Sequence, residues 1–142
     1  MTRCFGLREY PVVAGDGIGR YCLGFTRQQL GCPDEGPCRS INKGTDVFFD
    51  AEGRASRIRV HRTGRWPQIP EQNAPWVSDT HIVLGKPFSW LPHDLPRPQR
   101  TEARDDPEFG RIKVWHFPGL EVEFDSNAAG ETVVGGMVVK RK

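Results

Sequence analysis

A short phrase occurs twice in this chain and limits how it can fold. Thr26-Arg27-Gln28-Gln29-Leu30-Gly31-Cys32-Pro33 returns as Thr80-His81-Ile82-Val83-Leu84-Gly85-Lys86-Pro87, a T-x-x-x-L-G-x-P pattern both times. In each copy the threonine is placed to cap a helical turn. The glycine and proline would end it, because glycine accepts the left-handed conformation that closes a helix and proline cannot continue one. Each copy is followed by a strand-like run ending in Phe-Asp, Val47-Phe48-Phe49-Asp50 and then Val122-Glu123-Phe124-Asp125, with a glycine-bearing turn beyond at Gly53 or Gly130. Two copies of one supersecondary unit imply an α+β, β-rich fold: two tandem short-helix plus antiparallel-strand repeats forming one sheet. The 142 residues are read as a single domain, 1–142, with repeat one over about 20–62 and repeat two over about 76–139.

Composition supports short elements. Sixteen glycines and twelve prolines favour strands joined by turns over long helices, while four Trp and eight Phe supply enough apolar bulk to argue against disorder. The clearest hairpin pairs Asp46–Asp50 with Ala55–Arg62. In its second strand Ile58 and Val60 alternate with Arg57, Arg59 and His61, the period of two that marks a half-buried strand with a solvated basic face. A meander follows near the end, Arg111–His116, Leu120–Asp125 and Thr132–Val139, in which Leu120, Val122 and Phe124 alternate with Glu121, Glu123 and Asp125. The basic face of one strand and the acidic face of the other are either complementary or two separate solvated surfaces. Trp76 to Pro87 is a second helical candidate, and 88–110 is a long proline-rich loop carrying Glu102, Asp105, Asp106 and Glu108. Such a loop within a compact domain is usually functional or mobile.

Tests for catalytic and cofactor chemistry come back empty. Gly15-x-Gly17-x-Gly19 lacks the further glycine of a dinucleotide loop, where Arg20 stands, and no Gly-Lys-Ser/Thr marks a phosphate loop. Ser40-Ile41-Asn42-Lys43 matches S-x-x-K without its usual companion motifs. No catalytic residue, cofactor or metal is therefore expected. The four cysteines, Cys4, Cys22, Cys32 and Cys38, crowd the first part of the chain. They read first as buried small hydrophobes, with a metal-binding or enzymatic module built on this segment as an alternative. A Cys32–Cys38 disulfide is a further alternative, in an oxidising compartment only. Another alternative, a nucleic-acid-binding domain, would use the arginine-rich strand 54–65 ending near Trp66. A net charge of +2 argues against that reading. No stretch reaches the roughly 18 apolar residues needed to cross a bilayer. The charged segment Met1–Tyr10 lacks the apolar run of a secretory signal, so a cytoplasmic protein with no membrane partner is expected.

The order helical turn, L-G-x-P, strand ending in Phe-Asp, turn, strand, given twice, resembles the small repeat of the β-lactamase inhibitor protein and of the BamE-like (SmpA/OmlA) outer-membrane lipoproteins, over about 20–62 and 76–139. That resemblance implies short helices packed on an antiparallel sheet that grips another protein. Small bacterial immunity proteins, which block one cognate toxin or effector, look similar. The expected function is therefore a protein-binding inhibitor that occludes the active site of its partner. Trp66, Trp76, Trp90 and Trp115, in or beside proline-rich segments, are the candidate aromatic anchors. Glu102, Asp105, Asp106 and Glu108 would imitate phosphate toward a cationic target.

Overall fold

The computed structural model describes residues 11–19, 21–39, 45–61, 76–77, 80, 82–107, 110–126 and 129–142. Most of the described chain is strand. A small sheet has the order β3 (Tyr21–Cys22), β2 (Gly17–Ile18), β1 (Pro11–Val13), β7 (Trp76–Val77). A large sheet has the order β4 (Cys38–Arg39), β5 (Thr45–Phe49), β6 (Ala55–His61), β11 (Thr132–Lys140), β10 (Leu120–Ser126), β9 (Gly110–Phe117), β8 (Arg100–Asp106). All pairings are antiparallel except β1 with β7. The expected α+β fold with two helix–strand repeats in one sheet is overturned, since two sheets form and the described residues hold a single short helix, α1 (Arg27–Leu30), beside one 3-10 turn (Phe88–Trp90).

The two copies of the repeated phrase part company because their surroundings differ. In the first, Thr26 and Gln29 form a reciprocal capping box, Gln29 N–H donating to Thr26 Oγ1 at 3.3 Å and Thr26 N–H to Gln29 Oε1 at 2.8 Å, and Gly31 closes the turn at φ 70°. One turn of helix is unstable alone. Leu30 buries it in the core, Arg27 donates to the carbonyls of Pro33 and Gly36, and a Cys32–Cys38 disulfide ties its end to β4. These two cysteines are thus bridged, and Cys22 is buried. In the second copy no helix forms among the described residues. The phrase instead pairs with β11 beyond its described register with β6: Gly85 N–H donates to Val134 O and Val134 N–H to Lys86 O, at 2.8 and 2.9 Å. Gly85, at φ 87°, makes a turn in place of a helix cap. The buried Thr80 hydroxyl has no hydrogen-bond partner among the described residues.

One apolar core lies between the sheets. Ile58, Val60, Val122, Phe124, Met137 and Val139 point from the large sheet toward Val12, Ile18, Tyr21 and Val77 of the small one, with Ile82 and Leu84 filling the rim. The hairpin and the meander form where the alternation places them. Within the segment that the sequence reads as a loop lies a strand, β8, with the sequence Arg-Thr-Glu-Ala-Arg-Asp-Asp.

Candidate functional site

The face of the large sheet turned away from the core carries a row of charges. Register puts Asp46, Arg59, Val138, Glu121, Glu123, Val114, His116, Glu102, Arg104 and Asp106 on that one side. It is not flat. Arg59 on β6 and Asp106 on β8 are separated by three intervening strands, a span of roughly 19 Å in a flat sheet, yet Arg59 Nη2 donates to Asp106 Oδ2 at 3.0 Å. The sheet is therefore rolled, with the charged side concave.

A glycine pair makes the roll possible. Between Glu123 and Phe124 the β10–β11 register shifts, leaving Gly135 as the extra residue of a bulge, and bulges increase local bend and twist. A side chain at Gly135 would strike the Asp125 carboxylate, and one at Gly136 the Glu123 carboxylate. Both glycines are slots into which those acids lean. Glu121, Glu123 and Asp125, the acidic face that the sequence leaves either complementary or solvated, are consequently buried, at 5%, 4% and 7% exposure.

Glu123 and Glu121 are each matched by cations. Glu123 Oε1 accepts from Arg59 Nη2 at 2.8 Å and Nε at 3.1 Å. Glu121 accepts from Lys140 Nζ at 2.9 Å and lies 3.4 Å from Arg104 Nη2, which also donates to Glu102 at 2.8 Å. His116 Nε2 meets Glu102, and His61 Nε2 lies 3.4 Å from Asp46. The basic face of β6 and the acidic face of β10 are thus complementary. The bonds from His116 and Arg104 hold the Glu102 carboxyl below the usual range. Burial pushes Glu121 up, and the hydrogen bond and charge of Lys140, with His116 and Arg104, outweigh it to leave a net lowering. Burial likewise opposes the charged form of Arg59, and Glu123 and Asp106 more than compensate. The whole is a closed network in which every charge described has a structural partner. Among the described residues no group of three or more His, Cys, Asp or Glu is placed to hold a metal ion. The disulfide also removes Cys32 and Cys38 as thiolate ligands.

The other face has the opposite character where the small sheet ends. Phe88, in the 3-10 turn, packs edge-on against Trp115 and Phe124 with ring centroids 5.5 and 5.4 Å away. That wedge fixes the turn and projects Trp90, which is 67% exposed with Lys86 Nζ 4.6 Å above its ring. Two grooves of about 390 Å³ each flank Phe88. One runs to Phe124 with Arg111 and Lys113 on its lining, and the other is walled by Trp115, Leu91, Leu95 and prolines, with Arg97 among its lining residues.

The candidate residues separate accordingly. Trp90 is exposed at the turn, and Trp115 is part-buried behind it. Trp76 lies in β7, while Trp66 and Glu108 fall outside the described residues. The acids do not form one patch: Glu102 and Asp106 are bonded inside the concave face, and Asp105 points to the other side, where it pairs with Arg111 at 3.2 Å. The arginine strand is also engaged, with Arg54 donating to Gly24 O, Arg57 stacked over Phe48 and Arg59 in the network. Sequence reasoning missed Phe88, Lys86, Arg111 and Lys113. The available signal was parity, because Arg111 and Lys113 share the face of Trp115 and Phe117 and so interrupt an apolar row. The chain matches no protein-family profile, no curated protein sequence and no solved structure.

Proposed function

We propose that this chain is a non-catalytic protein-binding inhibitor that seats the Phe88–Trp90 corner in a cleft of another protein. In the immunity-protein form of this reading, the partner is a toxin or effector whose active site the corner occludes. The observation that carries the reading is the exposure of Trp90 on a turn pinned from behind by Phe88. A large aromatic held rigid and outward loses little freedom on docking, and such anchors dominate interface energies. The concave network supplies rigidity, with its charges spent within the fold. Disulfides persist in oxidising compartments, so we place the encounter there, against the cytoplasmic expectation, on the strength of the Cys32–Cys38 bridge. No helix among the described residues is long and apolar enough to cross a membrane.

The test is a photo-cross-linking amino acid at position 90 in producing cells, followed by calorimetry with the captured partner. Trp90→Ala should weaken binding by about 30-fold, whereas Phe48→Ala on the concave side should leave it unchanged. Equal affinity of the Trp90→Ala chain defeats the proposal. Undiminished turnover by a saturated enzyme partner rules out occlusion.

A further inference from the structure

The sign of the exposed charge identifies the partner surface. Of the described acids that the sequence offers as phosphate mimics, Glu102 and Asp106 are bonded within the sheet and Asp105 is paired across the β8–β9 edge. Around the aromatic corner the balance is basic: Lys86 sits over Trp90, Arg97 lines one groove, and Arg111 and Lys113 line the other, against Asp125 on that same lining and the Asp105 that pairs with Arg111. Lys113 is exposed and has no ion pair among the described residues.

Resting on the protein-binding reading above, we propose that the two grooves astride Phe88 form a docking track for an acidic, extended segment of the partner. Successive side chains of an extended chain face opposite ways, so those at i and i+2 fall on one side about 7 Å apart. Two apolar side chains of the segment enter the grooves on either side of Phe88, one against Phe124 and one against Trp115 and Leu95. Intervening carboxylates meet Lys113 and Arg111 at one end and Arg97 at the other. Charge of this sign steers encounter and fixes direction, and the buried apolar side chains supply most of the affinity.

The same cations next to an aromatic also invite a nucleic acid, and the observations favour protein. Single-strand binding sites combine a continuous basic groove with open ring faces for base stacking. Here Lys86 covers one face of Trp90, Phe88 is edge-on to its neighbours, and Asp105 and Asp125 interrupt the cations. The prolines and Leu91, Leu95 and Phe124 make grooves sized for aliphatic or aromatic side chains.

The experiment uses fluorescein-labelled peptides alternating Asp/Glu with Leu/Phe, the matching Lys/Leu/Phe peptides, and an oligothymidine, each titrated by anisotropy into the full chain. The acidic peptide should bind saturably and weaken as salt rises. The Arg111→Glu/Lys113→Glu chain should bind it at least about tenfold more weakly while melting at the same temperature. Absence of saturable binding, equal binding of the lysine peptide, tighter binding of the oligothymidine, or indifference to the double substitution each overturns the proposal. A cross-linked partner that needs Trp90 but ignores that double substitution defeats the acidic-segment proposal and leaves the protein-binding reading standing. A partner that ignores Trp90 as well removes both.

Discussion

The two faces of the large sheet use charge in opposite ways. On the concave face Arg59, Arg104 and Lys140 are bonded to Glu123, Glu102 and Glu121. On the far side of β9, Lys113 stands exposed beside Phe88 and the Phe124 groove. The contrast teaches that the number of charges on a strand says little about its availability. What decides is whether the sheet rolls toward that side, and the roll is set by two glycines on the neighbouring strand.

Substitutions should break this contrast with graded effect. Glu123→Ala leaves Arg59 without its main partner in a buried setting and is expected to cost about 3 kcal/mol by urea unfolding, since orphaning one member of a buried pair is severe. Replacing Arg59, Asp106 and Glu123 together by Met, Leu and Leu should recover most of that loss. A triple variant as weak as Glu123→Ala would mean that the network stabilises the roll beyond what packing can. Gly136→Ala places a methyl on the Glu123 carboxylate and 3.4 Å from Val60 O, for an expected loss of about 2 kcal/mol. A chain that tolerates it fully would deny the glycine its slot.

Acid should affect the concave face next. Glu102 and Glu121 are held below the ordinary value of 4.5, so their folded-state pKa lies below the unfolded one. The stabilisation is complete above that ordinary value and is lost as pH falls through the lowered folded values. Denaturant midpoints should fall on acidification, and fall less in Glu121→Gln. Parallel curves for the two chains would show that Glu121 contributes nothing to the acid limb. The smallest stability effect belongs to Trp90→Ala, within about 0.5 kcal/mol, because the exposed indole holds nothing in place. A large drop in melting temperature would make Trp90 part of the core scaffold and blur the distinction between the faces.

Sequence pattern revealed the parts of this molecule that local alternation controls. The 45–61 hairpin and the Leu120–Ser126 strand of the meander were legible because a set of their apolar residues repeats every second position and faces one core. β8 was illegible because Arg100–Asp106 contains no large apolar residue. It is a strand by virtue of its seven-residue pairing with β9, and its Glu102, Arg104 and Asp106 find partners that lie far away in sequence. Whether the acidic side of β10 is solvated or complementary to β6 stayed open in the sequence for a related reason. Period-two alternation describes equally a solvated face and the charged interior of a rolled sheet, and only cross-strand partners separate them. The mid-strand pair Gly135-Gly136 was the one local hint. The repeated phrase misled most, since the same Thr, Leu, Gly and Pro make a capped helix where Gln29 reciprocates and an edge bridge where β11 offers free backbone groups. Of the candidate site, Trp90 was visible as an aromatic among prolines. Its basic surroundings were not, because Lys86, Arg97, Arg111 and Lys113 converge only in three dimensions.

Burial of β10 on both faces also has a kinetic reading. Leu120 to Asp125 lie between β9 and β11 with apolar packing on one side and ion pairs on the other. Their amides have no route to solvent through local fraying, and should exchange with deuterium only when the whole chain opens. The amides of the Phe88–Trp90 turn should exchange orders of magnitude sooner. Exchange at the turn would then report its local opening, while exchange in the strand behind it would report only the opening of the whole chain.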